Sequence, residues 1–243
     1  DATAPNDTTK NFSWDDHAGA FHLDFAQRER LPQMDQALSA LMDDLFDRGM
    51  DRKVLLIACG ALAREILAVK SANGLDHLDL QCLPAIYHNY PDKIIPAIRE
   101  AVEKYRDSYE QIFAVYADCG TGGLLEVACA DMGIGMIEGP HCYSFFEGND
   151  TFAARDEFTA FYLTDFLVRQ FDAFVWEPLG LGRHPELRDM YFGNYEKLVY
   201  QAQTDDPALT AKAQDCAARL GLPFERRFTG YGDLTPALTG LSP

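Results

Sequence analysis

The sequence predicts an α/β protein built on a parallel β-sheet with helices on both faces. Apolar runs such as Val54–Ala58 have the composition of strands that are buried on both sides. Each run is followed by a turn and by a segment with helical spacing of its apolar residues, as in Ala61–Ser71. Because strands that alternate with helices pair in parallel through right-handed crossovers, we expect a Rossmann-like or flavodoxin-like sheet with a helical C-terminal cap.

The alternation defines the elements of the first part of the chain. Strands are predicted at Val54–Ala58, Leu78–Leu83, Ile112–Tyr116 and Gly135–Glu138. Helices are predicted at Leu31–Met50, Ala61–Ser71, Asp92–Tyr105 and Leu124–Met132. Residues 1–30 are polar at their start and are predicted to be an N-terminal extension, and residues 31–243 are predicted to form a single domain with its sheet core at about 50–148.

The sequence after Asn149 becomes aromatic and helical in its spacing. Helices are predicted at Phe158–Phe174 and Leu187–Tyr200, and a third from Asp205 to Leu220 that Gly221 ends. These segments make up the predicted cap, residues 150–222. From Phe224 to the end of the chain we expect a short strand and then loops.

Composition limits the classes of partner. The chain has 243 residues and a formal net charge of -17, which disfavours binding to nucleic acid and to anionic membranes. Its longest apolar runs are far too short to cross a bilayer. The 6 cysteines do not resemble the disulfide framework of a small secreted domain, so we expect a cytoplasmic protein with reduced thiols.

Cysteine and histidine residues occur in the turns that follow the predicted strands. They are Cys59, His88, Cys119, His141 and Cys142. Because the carboxyl ends of parallel strands meet at one edge of a sheet, we expect these side chains to lie close together. Thiolate and imidazole groups are the usual ligands of zinc, so the pattern predicts a metal site, with iron or an iron–sulfur cluster as alternatives.

Two other interpretations of these turns stay open. Cys59 and Cys119 could be small apolar residues that fill tight turns. They could also be facing thiols that remove and return a proton on opposite sides of a substrate carbon, as in a cofactor-free two-cysteine racemase or isomerase.

Charged residues near the same edge are candidate catalytic groups. Asp118 and Glu147 could orient a ligand or a substrate. Arg183 and His184 precede a predicted helix and could bind a carboxylate or phosphate of a small-molecule substrate. For each of them the alternative is a solvated charge or a salt-bridged helix start.

Several strings of residues resemble a bacterial and archaeal family known as domain of unknown function 1638. They lie between Val54 and Leu234. The strings are Ala58–Leu62, His88–Pro91, Tyr116–Gly123, Gly139–Tyr143, Phe161–Leu167, His184–Tyr195 and Thr229–Gly232.

This resemblance implies a role beside corrinoid proteins and cobalamin-dependent methyltransferases in methylated-amine and one-carbon metabolism. We therefore expect a protein that binds zinc or iron and is a methyltransferase or a methyltransferase component, with cobalamin supplied by a partner protein. A non-catalytic adaptor that docks a corrinoid protein is the remaining alternative. Substrate and oligomeric state are left open.

Overall fold

A computed structural model describes residues 31–47 and 53–241. The chain divides into two compact units, Asp1–Asp51 and Arg52–Pro243. In the first unit, helix α1 spans Leu31–Asp47, and its apolar residues Met34, Leu38, Leu41 and Met42 are exposed. The predicted extension at residues 1–30 lies outside the described residues, as does the predicted end of this helix at Met50.

The second unit begins with a four-stranded parallel sheet. Its strands are β1 (Val54–Cys59), β2 (Leu78–Leu83), β3 (Gln111–Val115) and β4 (Gly135–Met136). The helices between them are α2 (Ala63–Asn73), α3 (Ile94–Tyr105) and α4 (Leu124–Met132). The order β2-β1-β3-β4 places β1 between two parallel neighbours, and Val54 is in register with Leu78 and Gln111.

Both faces of this sheet are covered, as a continuous apolar strand requires. Leu56 of β1 packs in one core with Ile66 of α2. Ile57, the next residue, packs in another core with Ile98 of α3 and Leu125 of α4. Successive side chains of a strand point to opposite faces, so β1 contributes to two layers of helices. The predicted α/β fold with a parallel sheet is confirmed, and Leu78–Leu83 and Leu124–Met132 have the predicted bounds.

The remainder of the second unit differs from the predicted helical cap, because it contains a second parallel sheet as well as helices. Its strands are β5 (Ala160–Thr164), β6 (Lys197–Ala202) and β7 (Phe224–Phe228), in the order β5-β6-β7. Its helices are α5 (Cys142–Glu147), α6 (Asn149–Arg155), α7 (Asp165–Arg169), α8 (Leu187–Phe192), α9 (Pro207–Leu220) and α10 (Leu234–Thr239). The single helices predicted at Phe158–Phe174 and Leu187–Tyr200 are therefore wrong, as are the loops predicted after the last strand.

The wrong helices have a common physical reason. Short apolar runs fit a buried strand as well as a turn of helix, and periodicity alone does not separate the two. Tyr162 and Leu163 lie on opposite faces of β5, in different clusters of buried residues. Thr164 then caps α7 by accepting a hydrogen bond from the amide of Leu167, so strand and helix follow each other without a linker.

Among the described residues, no helix combines the length and the apolar character needed to cross a membrane. This agrees with the short apolar runs of the sequence.

The turn before α10 packs closely against the end of α5. The amide of Asp233 donates to the carbonyl oxygen of Phe145 at 2.8 Å, and an Asp233 carboxylate oxygen accepts from the amide of Asn149, also at 2.8 Å. Gly232 has a φ of 46° and so lies in the left-handed region. A Cβ atom at this position would clash with the carbonyl oxygens of Phe145 and Phe146. Only glycine fits this contact without a shift of backbone.

We predict that Gly232→Ala destabilises the protein more than Gly230→Ala. Both glycines have positive φ, but a Cβ at Gly230 meets open space. Gly230→Ala should therefore lower the free energy of unfolding by about 1 kcal/mol, the cost of left-handed backbone. Gly232→Ala should lower it by a further 1–3 kcal/mol or so, because the backbone must also move. Denaturant unfolding measures both, and equal losses would contradict the close contact.

Candidate functional site

The turns identified in the sequence lie at the carboxyl-terminal edge of the first sheet. Cys59 is the last residue of β1, and His88 lies in a short 3-10 turn after β2. Cys119 follows β3, while His141 and Cys142 follow β4 at the start of α5. Parallel pairing of the strands therefore places all the predicted metal ligands at one edge.

A small cavity lies at this edge. Its volume is about 20 Å³, enough for one species the size of a water molecule. Its polar lining consists of Cys59, His88, Cys119, Cys142 and Tyr116. Three of the predicted cysteines and one of the two predicted turn histidines line this cavity. His141 is not part of this lining.

Tyr116 contributes a buried hydroxyl group that sequence reasoning missed. The residue is 2% exposed, and its hydroxyl has no hydrogen-bond partner within residues 31–47 and 53–241. A hydrogen-bonding interaction links the hydroxyl to the Cys59 thiol and opposes the burial that raises the pKa of Cys59, although its geometry falls short of a well-formed hydrogen bond. Burial raises the pKa of Tyr116 far above its usual range, so the group is a neutral donor. A buried donor without a well-formed hydrogen bond is costly, so this hydroxyl is available to a species that enters the cavity.

The cysteines of the cavity are neutral thiols at physiological pH. Burial raises the pKa of Cys59, and burial together with repulsion from ionised Cys59 raises the pKa of Cys119 to about 12. Burial raises the pKa of Cys142 well above its usual value, with repulsion from Cys119 and Cys59 adding to the shift. The thiols therefore lie within electrostatic range of one another. They can ionise together only if a positive charge compensates them.

The backbone at Cys119 and the loop that follows it are held by Asp118. Cys119 has a φ of 49°, which is uncommon for a residue other than glycine. The Asp118 carboxylate accepts hydrogen bonds from the amides of Gly122 at 3.1 Å and Gly123 at 2.7 Å, and from the Thr121 hydroxyl at 2.7 Å. Desolvation acts to raise the pKa of Asp118, but these hydrogen bonds outweigh it and the pKa is lowered.

The Asp118 carboxylate is thus the acceptor for backbone amides of the glycine-rich loop, residues 120–123. Because these amides already donate to a carboxylate of the same loop, they are not free to bind a phosphate. Asp118 was predicted as a catalytic group, whereas the structure gives its carboxylate a role in shaping the turn that presents Cys119.

The other predicted catalytic residues lie away from the thiols. The Glu147 side chain is 5% exposed, forms ion pairs with Arg155 and Arg227, and accepts from the Gln201 amide at 2.9 Å. Arg183 and His184 are exposed, and Nδ1 of His184 lies 3.2 Å from a Glu186 carboxylate oxygen. None of these predicted residues lines the small cavity or the larger pocket next to it.

The larger pocket has a volume of about 680 Å³ and lies between the two sheets. His88, Cys119 and Cys142 line both the pocket and the small cavity, so the two are adjacent. His141 lines the pocket too. Its far wall is formed by aromatic and aliphatic side chains that include Tyr143, Phe161, Tyr162, Phe174, Leu179 and Tyr195. Sequence reasoning missed most of this wall because it assigned strand β5 to a helix.

Both pocket histidines are held in the neutral form. His88 is exposed as a residue, yet the surrounding protein desolvates its ring and lowers its pKa. Repulsion from His141 adds to this effect. Burial also lowers the pKa of His141, although the Asp118 carboxylate opposes the shift. Neutral imidazole can bind a metal ion or accept a proton.

These side chains are near one another without forming a preformed metal site. In the part of the chain that the structure describes, no group of three or more His, Cys, Asp and Glu side chains is arranged to hold a metal ion. The cysteines are free thiols.

Two protein-family models match this chain. A family model described as Protein of unknown function (DUF1638) matches residues 82–238, which is more than half of the chain. The chain belongs to the DUF1638 family. A second model, Protein of unknown function (DUF1501), matches residues 7–80. No curated protein and no solved structure matches the chain.

The family match confirms the resemblance seen in the sequence. Its boundary at residue 82 falls between Cys59 and the other residues of the candidate site. His88, Tyr116, Cys119, His141 and Cys142 of this DUF1638 protein lie inside the matched range. Cys59 and the string around it lie outside that range, within the segment that the DUF1501 model matches. The small cavity therefore joins residues from both matched segments.

A second buried polar cluster lies between α2 and the second sheet. Asp165 is fully buried and accepts hydrogen bonds from the Tyr200 hydroxyl at 2.7 Å, the Gln203 amide at 3.1 Å and the Thr204 hydroxyl at 2.5 Å. Glu65 of α2 is 4% exposed, and its Oε2 atom has no hydrogen-bond partner among the described residues. Burial raises the pKa of Glu65, and repulsion from Asp165 contributes.

We predict that Glu65→Gln stabilises the DUF1638 protein increasingly as the pH rises. Glu65 ionises more readily in the unfolded chain than in the folded one, because its folded pKa is raised. Its contribution to stability is complete below about pH 4, the unfolded pKa, and is lost as the pH rises through the folded value. Glutamine keeps the volume and removes this loss.

Unfolding free energies at about pH 4 and pH 8 measure the effect. Glu103→Gln is the matched control, because Glu103 is exposed on α3. A stability difference between Glu65→Gln and the wild type that does not change with pH would contradict the buried neutral carboxyl.

Proposed function

We propose that this protein binds a single zinc or iron ion through Cys59, Cys119 and Cys142, with His88 as the imidazole ligand, and serves corrinoid-linked methyl transfer. The observation that carries the metal site is the small cavity, which these residues line together with the buried hydroxyl of Tyr116. The methyl-transfer role is supported by the family resemblance alone.

The donor set fits a metal ion chemically. Thiolate and imidazole are the preferred ligands of zinc and also bind iron. A divalent cation supplies the positive charge that three mutually repelling thiolates require. The Tyr116 hydroxyl would donate to a thiolate sulfur, or to a group in the open coordination position. Binding requires the side chains to turn toward the centre of the cavity, since they do not form a closed ligand set without the ion.

The cavity volume supports one ion. About 20 Å³ accommodates a species of the size of one water molecule, whereas an iron–sulfur cluster of several heavy atoms would need the surrounding strands and turns to move apart. Zinc or mononuclear iron is therefore the better supported cofactor.

The adjacent pocket gives this site access to a substrate. When bound, the metal would lower the pKa of a coordinated thiol, amine or water and so generate a nucleophile. His141 lines the pocket as a neutral imidazole and can accept the proton that such a group releases. The aromatic wall would orient the substrate and exclude water.

The methyl-transfer role implies a partner. Cobalamin would be carried by a corrinoid protein or a methyltransferase that docks at the mouth of the pocket, in the cytoplasm. An adaptor without catalytic activity is the competing proposal. Co-purification with a corrinoid protein, without turnover on methylated substrates by the metal-loaded protein, would favour the adaptor.

Cofactor-free thiol chemistry is less well supported. Cys59 lines the small cavity but not the large pocket, whereas Cys119 lines both. A substrate in the large pocket therefore cannot have Cys59 and Cys119 on opposite faces. The raised pKa values also keep both groups as thiols, which are poor bases and nucleophiles.

We predict that Cys119→Ala lowers the metal content of the purified protein. Removing one thiolate from a structural or catalytic metal site weakens binding by at least about tenfold, because a charged ligand is lost. Elemental analysis after anaerobic purification measures the stoichiometry. Cys216→Ala is the matched control, since Cys216 is buried in the separate core of the second sheet. Equal metal content in Cys119→Ala and the control would exclude Cys119 as a ligand.

We predict that substitutions of the two histidines have different effects on zinc affinity. His88 lines the small cavity and His141 lines only the large pocket. His88→Ala should therefore lower zinc affinity, measured by competition with a chelator, while His141→Ala should leave it within about twofold of the wild type. The reverse pattern would assign the imidazole ligand to His141.

A further inference from the structure

Within residues 31–47 and 53–241, no lysine, arginine, aspartate or glutamate side chain lines the large pocket. A charged ligand would lose hydration on entry and would find no ion-pair partner among the described lining residues, which is unfavourable.

Tyr143 stacks on two other rings that line the pocket. Tyr143 stacks on His141 at a centroid distance of 4.7 Å and on Tyr162 at 5.2 Å, with interplanar angles of 27° and 5°. Phe161 meets Tyr195 edge to face at 5.6 Å. An organic cation is bound by free ring faces, and the faces of Tyr143 are already covered by its neighbours.

The polar groups that remain suit weak hydrogen bonding. The hydroxyl of Tyr162 donates to a Glu157 carboxylate oxygen at 2.9 Å, so it is already engaged. Asn89, the hydroxyls of Tyr90, Tyr143 and Tyr195, and the imidazoles of His88 and His141 also line the pocket and can orient a ligand. Pockets of this kind are mostly apolar with a few polar groups that fix orientation.

We infer that the large pocket binds an electrically neutral, largely aromatic or apolar small molecule, whose polar end is directed to Cys119 and Cys142. The inference deepens the proposed function and rests on it in taking this pocket as the substrate site. It excludes substrates that carry a carboxylate, a phosphate or a quaternary ammonium group when they enter the pocket.

Binding of three naphthalene derivatives tests the inference by isothermal titration calorimetry at neutral pH. The probes are 2-naphthol, 2-naphthoate and the 2-naphthyl-trimethylammonium ion, which share one ring system and differ in charge. We expect 2-naphthol to bind at least about tenfold more tightly than either ion, because only the ions lose charge solvation. Equal or tighter binding of either ion, or no binding of 2-naphthol, would overturn the inference.

A charged variant controls for non-specific hydrophobic binding. Leu179 lines the pocket, and Leu179→Arg places a cation there. The variant should bind 2-naphthoate at least about tenfold more tightly than the wild type does, because arginine pairs with carboxylate. Leu124→Arg adds the same charge on exposed α4 and should change nothing. An equal gain in both variants would mean that the probes bind outside the pocket, and so would count against it.

The titrations are repeated with Cys119→Ala, which lacks a proposed metal ligand. Preference for the neutral probe should persist there, since it depends on the pocket wall. Loss of metal with retained preference would support both proposals. Loss of metal without a neutral preference would overturn the pocket inference alone, and normal metal content with retained preference would count against Cys119 as a ligand alone.

Discussion

Parallel pairing of β1 with two neighbours is the constraint on which the rest of the structure depends. Ala58 is in register with both Cys82 and Val115, and Cys59 follows directly at the strand end. Because all neighbours run in the same direction, every loop that leaves a strand carboxyl end starts from one edge. Residues that are distant in the chain therefore share a cavity without any short sequence motif. A slip of one residue would turn every side chain of β1 to the opposite core.

The chemistry of the site follows from desolvation at that edge. The cysteine thiols there are neutral because burial and mutual repulsion disfavour their ionised forms. Among the described residues, the same burial leaves the Tyr116 hydroxyl without a well-formed hydrogen bond. The metal-binding proposal rests on this arrangement, because a cation would relieve the repulsion among the thiolates and a thiolate sulfur could then accept from the hydroxyl. Next to the cavity lies a pocket that no described lysine, arginine, aspartate or glutamate side chain lines.

The sequence was informative about the first sheet and misleading about the second. Val54–Cys59 is an unbroken apolar run followed by a glycine, so the strand and its turn could be predicted directly. Ala160–Thr164 is followed at once by an acidic residue that starts a helix, so the helical spacing extended across the strand. The cavity residues could be predicted because turns after parallel strands converge. The buried hydroxyl of Tyr116 and the wall from the second sheet could not, since both depend on packing between distant segments.

At Cys119, the left-handed backbone conformation and the chemistry of the side chain favour different amino acids. Glycine would adopt this conformation freely, and three of the next four residues are glycines with positive φ. The chain nevertheless has cysteine at a position where the backbone conformation favours glycine, at a cost of about 1 kcal/mol. Stability and reactivity thus select different amino acids at one site. A protein engineered only for thermal tolerance would discard this thiol, and with it one of the three described side chains that line both cavity and pocket.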